Sequence, residues 1–138
     1  MLFPKKVKYR KWQRDRKNAD SVGFASRGTT LAFGSYGVKA ASYGRINSQQ
    51  IEATRRVIKR HIGKFGRVWI RIFPDRPYTA KAPEVPMGKG KGDLKGYEFE
   101  VKPGRVLFEV EGVEEDVARE AFRKAGAKLP VKVKVVVR

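Results

Sequence analysis

Residues 97–110 read YEFEVKPGRVLFEV, from Tyr97 to Val110. Tyr97, Phe99 and Val101 alternate with Glu98, Glu100 and Lys102, the period of a strand with one packed face. Pro103-Gly104 is a turn signal, and Val106, Phe108 and Val110 alternate beyond it, so the stretch predicts a hairpin. Toward the C-terminus, a helix is expected from about Glu114 to Ala125, with Glu114, Glu115 and Asp116 in its first turn, where the macrodipole favours anions. Val117, Ala118, Ala121, Phe122 and Ala125 form its apolar stripe and Gly126 ends it. After Pro130, the alternation of Val131, Val133, Val135 and Val137 with Lys132 and Lys134 predicts a last strand.

Toward the N-terminus, Val68, Ile70 and Ile72 alternate with Trp69, Arg71 and Phe73, which predicts another strand. A proline-punctuated segment follows, expected to project as a loop over residues 74–96 and tipped by Gly88-Lys-Gly-Lys-Gly92. A first helix is expected from Asn47, an N-cap whose capping box is completed by Gln50, to about Ile62, with a left-handed Gly63 after it. Ile51, Thr54, Ile58 and Ile62 make its core face, widened by Val57. Short strands are expected at Thr29–Phe33 and Val38–Tyr43, around a turn at Gly34–Gly37. Helices and strands mix without a serial βαβ pattern. The expected fold is therefore α+β, two helices packed on a mostly antiparallel sheet in a single domain over residues 1–138.

Charge narrows the function. The 138 residues include 32 Lys/Arg and 14 Asp/Glu, a formal net charge of +18. Such a charge repels itself unless a polyanion screens it, and 41% hydrophobic residues make the chain too apolar for a disordered tail. Residues 1–95 hold 23 of the cations against 6 acids, whereas residues 96–126 hold 5 against 8. This asymmetry predicts an acidic side opposite a basic binding side. The densest run is an extended arm, residues 1–20, in which Lys5, Lys6, Lys8, Arg10, Lys11, Arg14, Arg16 and Lys17 are interleaved with Phe3, Val7, Tyr9 and Trp12. Cations for phosphates and aromatics for bases suit an arm that orders on RNA, although such a run could also be a solvated tail. On the first helix, Arg55, Arg56, Lys59 and Arg60 face one acid, Glu52; phosphate contact by Arg56 and Lys59 or Arg60 is expected rather than a merely solvated face.

Other chemistries lack their residues. No cysteine is present, so neither disulfides nor thiolate metal sites are available. His61 stands alone, no apolar run approaches membrane-spanning length, and the first residues lack a secretory apolar core. The glycine-lysine tip has no following Gly-Lys-Ser/Thr or helix start, so it does not match a nucleotide-cradling loop. No nucleophile–base pair or paired carboxylates appear, and neither an enzyme activity nor a cofactor is expected. A stand-alone basic RNA-binding module or RNA chaperone fits the charge, and a nucleotide-dependent enzyme is a further reading.

The runs Arg67-Val-Trp-Ile-Arg-Ile-Phe-Pro-Asp-Arg-Pro77 and Met87-Gly-Lys-Gly-Lys-Gly92 resemble the two signature segments of the bacterial large-subunit ribosomal protein L-sixteen family. The Met-Leu-x-Pro-Lys opening, Phe33–Gly37, Gln50–Ala53, Lys102–Val106 and Lys128-Leu-Pro130 extend the resemblance over essentially the whole chain. It implies a structural, non-catalytic component of the cytoplasmic ribosome. The implied partners are large-subunit (23S-type) rRNA, A- and P-site tRNA and neighbouring ribosomal proteins, with no membrane involved. Carried over, the N-terminal cations with Trp12, Arg45, Arg55, Arg56, Lys59, Arg60 and Arg71 would hold rRNA. Arg76, Lys81, Pro86, Met87, Gly88, Lys89, Gly90, Lys91 and Gly92 would form a loop facing tRNA near the peptidyl-transferase region. Pro86 stands where the family usually has arginine, which removes a cation and a residue hydroxylated in some members.

Overall fold

The computed structural model describes residues 2–138. Seven strands and two helices follow the order β1 (Tyr36–Ala40), β2 (Gly44–Asn47), α1 (Ser48–Ile62), β3 (Arg67–Ile70), β4 (Arg76–Ala80), β5 (Asp93–Val101), β6 (Val106–Glu111), α2 (Glu115–Gly126) and β7 (Val133–Val137). Every strand pairing is antiparallel. One sheet has the order β3-β6-β1-β7 and the other β2-β5-β4, so the α+β expectation holds with two sheets rather than one. The helices pack on each other, α1 also against β3 and β2, and α2 against β1 and β7.

The sequence signals for α1 are realised atom by atom. Asn47 Oδ1 accepts from the Gln50 amide at 2.9 Å, and Gln50 Oε1 accepts from the Asn47 amide at 3.0 Å. Such a cap stabilises by about 1 kcal/mol because it satisfies amides that have no partner within the helix. Ile51, Thr54, Ile58 and Ile62 are buried as their spacing requires, each isoleucine contributing roughly 1.5–3 kcal/mol. Gly63 departs from the expected left-handed cap: its φ of 76° is combined with ψ of −158°, a region that only glycine occupies comfortably.

The predicted hairpin does not form. β5 pairs with β2 and β4, whereas β6 pairs with β1 and β3, so Pro103-Gly104 passes the chain from one sheet to the other. β6 is the reason. Val106, Leu107, Phe108, Glu109 and Val110 are all fully buried, which makes it a central strand covered on both faces. A second crossing, between β1 and β2, lies beside the first. The Gly104 amide donates to the Ala40 carbonyl at 2.8 Å, and the Ala40 amide to the Arg105 carbonyl at 2.9 Å. These bonds join the sheets at a corner.

Thr29–Phe33 is likewise not a strand, because its amides find another acceptor. Glu109 Oε1 accepts from Ala32, Phe33 and Gly34 at 2.9, 2.9 and 3.0 Å. Of the expected Val38–Tyr43 strand, Val38–Ala40 lies in β1, which starts earlier at Tyr36, and residues 41–43 form the connection to β2. The projecting segment is also shorter than residues 74–96. Pro77 pairs opposite Tyr97 and Ala80 opposite Asp93, so β4 and β5 form a hairpin and the unpaired tip covers residues 81–92.

Candidate RNA-binding surfaces

The arm crosses the small sheet and is clamped there by its backbone. Arg45 from β2 donates through Nη2 to the carbonyls of Arg14 and Asp15 at 2.6 and 3.0 Å. Arg76 from β4 donates to those of Gln13 and Arg14 at 2.7 and 2.9 Å. Lys91, at the end of the tip, reaches the Trp12 carbonyl at 2.6 Å. The Arg76 guanidinium also lies 5.3 Å from the centre of the Trp12 ring. Beneath these cations lie the outward carboxylates of β5. Glu98 is 3.6 Å from Arg45, and Glu100 is 3.6 Å from both Arg45 and Arg76 and 2.7 Å from Lys17. That contact raises the Lys17 pKa, first through the hydrogen bond to Glu100 and then through its charge.

Part of the acidic segment therefore lies inside the basic surface, contrary to the expectation of two opposed sides. The alternation that directs Tyr97, Phe99 and Val101 to one face directs Glu98 and Glu100 to the other, under the arm. Glu115 and Glu120 pair within α2, with Arg119 at 2.9 Å and Arg123 at 2.5 Å.

The clamp leaves most arm side chains free. Lys5, Lys6, Lys8, Arg10, Lys11, Arg14 and Arg16 are exposed and form no ion pair among the described residues. On α1 the four cations divide. Arg55 holds Glu52 through two bonds of 3.0 and 2.5 Å, and this contact is the main cause of a Glu52 pKa lowered to about 2. Arg56 lies 3.3 Å from the same carboxylate but is 71% exposed. Lys59 donates to the Gly66 carbonyl at 2.8 Å, and Arg60 is exposed without a partner among the described residues.

At the loop tip, Lys81 donates to the Gly88 carbonyl and thereby folds the tip on itself. Gly88 and Gly90 have φ of 99° and 103°, with Lys89 between them at 59°. Three successive positive-φ residues turn the chain sharply and direct Lys89 outward, while Met87 is 94% exposed. Of the tip residues singled out from sequence, Met87 and Lys89 are thus presented to solvent, whereas Lys81 and Lys91 bond internally.

Arg71 occupies a different setting from the other candidate RNA contacts. It pairs with fully buried Glu109, and its guanidinium lies 5.1 Å from the Phe33 ring centre. Burial pushes the Glu109 pKa up, but the Gly34 amide, Arg71, and the Phe33 and Ala32 amides outweigh it, leaving it below the ordinary carboxylate value. Arg105 was not anticipated. It donates to the Arg71 carbonyl at 3.1 Å and stacks over Phe99 at 5.3 Å, and burial, followed by Arg71, lowers its pKa. The one available signal was Leu107, which shares an outward strand position with Glu109 and so implied a covered face.

No cluster of metal-ligating side chains occurs among the described residues, and no helix there is long and apolar enough to cross a membrane. An α+β body with a clamped cationic arm, a protruding glycine-lysine tip and a large surplus of unpaired cations defines a class: a basic protein built to sit within a ribonucleoprotein. The family model described as ribosomal protein L16p/L10e matches residues 4–136. The large ribosomal subunit protein uL16 of Alkalilimnicola ehrlichii is 55% identical over 138 residues, covering 100% of this chain and 98% of that protein. The chain belongs to the ribosomal protein L16p/L10e family, and it is a structural constituent of the large ribosomal subunit. This is a family of ribosomal structural proteins, not of enzymes.

Proposed function

We propose that the protein binds large-subunit rRNA through its arm and the exposed cations of α1, and directs its loop tip toward tRNA in the A and P sites, without performing chemistry. The observation carrying this reading is the division of cations. Arg45, Arg76 and Lys91 hold the arm's carbonyls, so the arm presents Lys5, Lys6, Lys8, Arg10, Lys11, Arg14 and Arg16 as a row of unpaired charges. Arg60, exposed and without a partner among the described residues, extends the row on α1, and Arg56 adds a guanidinium that is 71% exposed despite its contact with Glu52. Arg71 is excluded from it, because its charge is met by Glu109.

Each phosphate neutralised releases counterions, so rRNA affinity should fall steeply with salt, roughly 0.9 log units per contact for each log unit of salt on duplex. Filter binding of a large-subunit rRNA transcript across a salt series tests this. Affinity independent of salt would refute it. For the tip, Lys89→Ala should impair tRNA accommodation in reconstituted subunits while leaving incorporation unchanged. An equal loss of both would reduce the tip to an anchor.

A further inference from the structure

Phe33 is 52% exposed although its backbone is tied to a buried carboxylate. Its own amide and those on either side of it in the chain donate to Glu109, which fixes the ring's position over β3. The ring stacks on Trp69, with centroids 5.9 Å apart and planes inclined by 18°. Arg71, two residues along from Trp69, is the cation against the same ring, and β3 is an edge strand of its sheet. Arg67 shares the Trp69 face by alternation and is exposed. Glu111, opposite Arg67 in the β3–β6 register, is the exposed acid of this region, and Glu109 is the buried one.

We propose that the Phe33–Trp69 stack is a platform for one unstacked base of the bound RNA, with Arg67 placed for its phosphate. This rests on the rRNA-binding reading and adds a site away from the arm and tip. A half-exposed ring stacked beside Trp69, with exposed Arg67 on the same strand face, matches the π-face of a base followed by its phosphate. The two rings are too small a patch for a stable protein interface, which needs about 1,000 Å². Because Glu109 already fixes Phe33, stacking would order little that is not ordered in the free protein.

Filter binding of the large-subunit rRNA transcript by the parent, Phe33→Leu and Phe33→Tyr proteins separates the outcomes. Phe33→Leu should bind about tenfold more weakly at every salt concentration, the scale of a lost base–aromatic stack. The slope against salt should not change, because no cation is removed, and Phe33→Tyr should restore binding. Equal affinity of Phe33→Leu and parent overturns the platform while the rRNA reading stands. A parent without salt-steep binding overturns both. If Phe33→Leu fails to fold, the Trp12→Phe protein leaves Trp69 as the sole tryptophan, since the chain has two. Its emission should be quenched at rRNA saturation, and unchanged emission overturns the platform.

Discussion

Two clusters in this molecule use the same side chains, arginine and glutamate, to opposite effect. Under the Ala32–Gly34 segment, Glu109 is fully buried and accepts three amides and one guanidinium. On the small sheet, Glu98 and Glu100 sit at 3.6 Å from arginines whose best hydrogen bonds go to the arm's carbonyls. The first carboxylate is fully buried and meets four protein donors, three amides on Oε1 and Arg71 on Oε2, so losing one partner exposes a desolvation cost. The second set lies near solvent, where pairs are screened and individually weak. One cluster is therefore part of the fold, and the other is an attachment that can open.

Glu109→Gln gives the largest expected effect. Three amides would share one neutral oxygen and Arg71 would lose its counter-charge, so stability should fall by about 3 kcal/mol. Calorimetry should show a midpoint lowered by roughly 10 °C, and an unchanged midpoint would remove the contrast between the clusters. The pH dependence follows with the sign of a depressed carboxylate. Glu109 titrates below its ordinary value of 4.5, so its stabilisation is complete above that pH and is lost as pH falls through the folded-state pKa. Glu52 acts in the same direction between 4.5 and about 2, but on a solvent-facing helix pair its share is small. The gap in urea midpoint between the parent and Glu109→Gln should therefore narrow as pH is lowered below 4.5.

The small-sheet cluster should behave otherwise. Replacing Arg45 and Arg76 together by Ala should lower the global midpoint less than Glu109→Gln does, because their contacts with Glu98 and Glu100, partly buried and 3.6 Å long, are too long for direct hydrogen bonds. It should, however, release residues 12–17 from the small sheet, read as faster tryptic cleavage after Arg14 and Arg16. A large loss of global stability would mean that the arm is integral to the fold.

What was legible in the sequence follows from how local each signal is. The box of Asn47 with Gln50 and the apolar stripes of both helices lie within a few residues, and they formed as read. The pairing of β5 and β6 was misread because alternation states only that each strand has a packed face, not which sheet receives it. Prolines at 74 and 77 suggested an end to regular structure, yet Pro77 is accommodated in β4, which is an edge strand. The arm's cations were legible as charge. That Arg45, Arg76 and Lys91 would bind its carbonyls was not, since those contacts span 30 to 79 residues of chain.

The smallest effect divides two lysines in the tip that look equivalent in sequence. Lys91 Nζ bonds the Trp12 carbonyl, whereas Lys89 is exposed in a left-handed turn with no partner among the described residues. Lys91→Ala removes one charge-assisted bond at the surface, a change of about 1 kcal/mol or less confined to the arm's attachment. Tryptic cleavage of the arm after Lys11 and Arg14 should accelerate by a few-fold in Lys91→Ala and not in Lys89→Ala. If both variants accelerate equally, charge alone attracts the arm, and the tip and arm are independent. If only Lys91→Ala does, the tip is tied to the arm through a single carbonyl. Contacts made by the arm would then influence the setting of the tip, because both titrate the same bond.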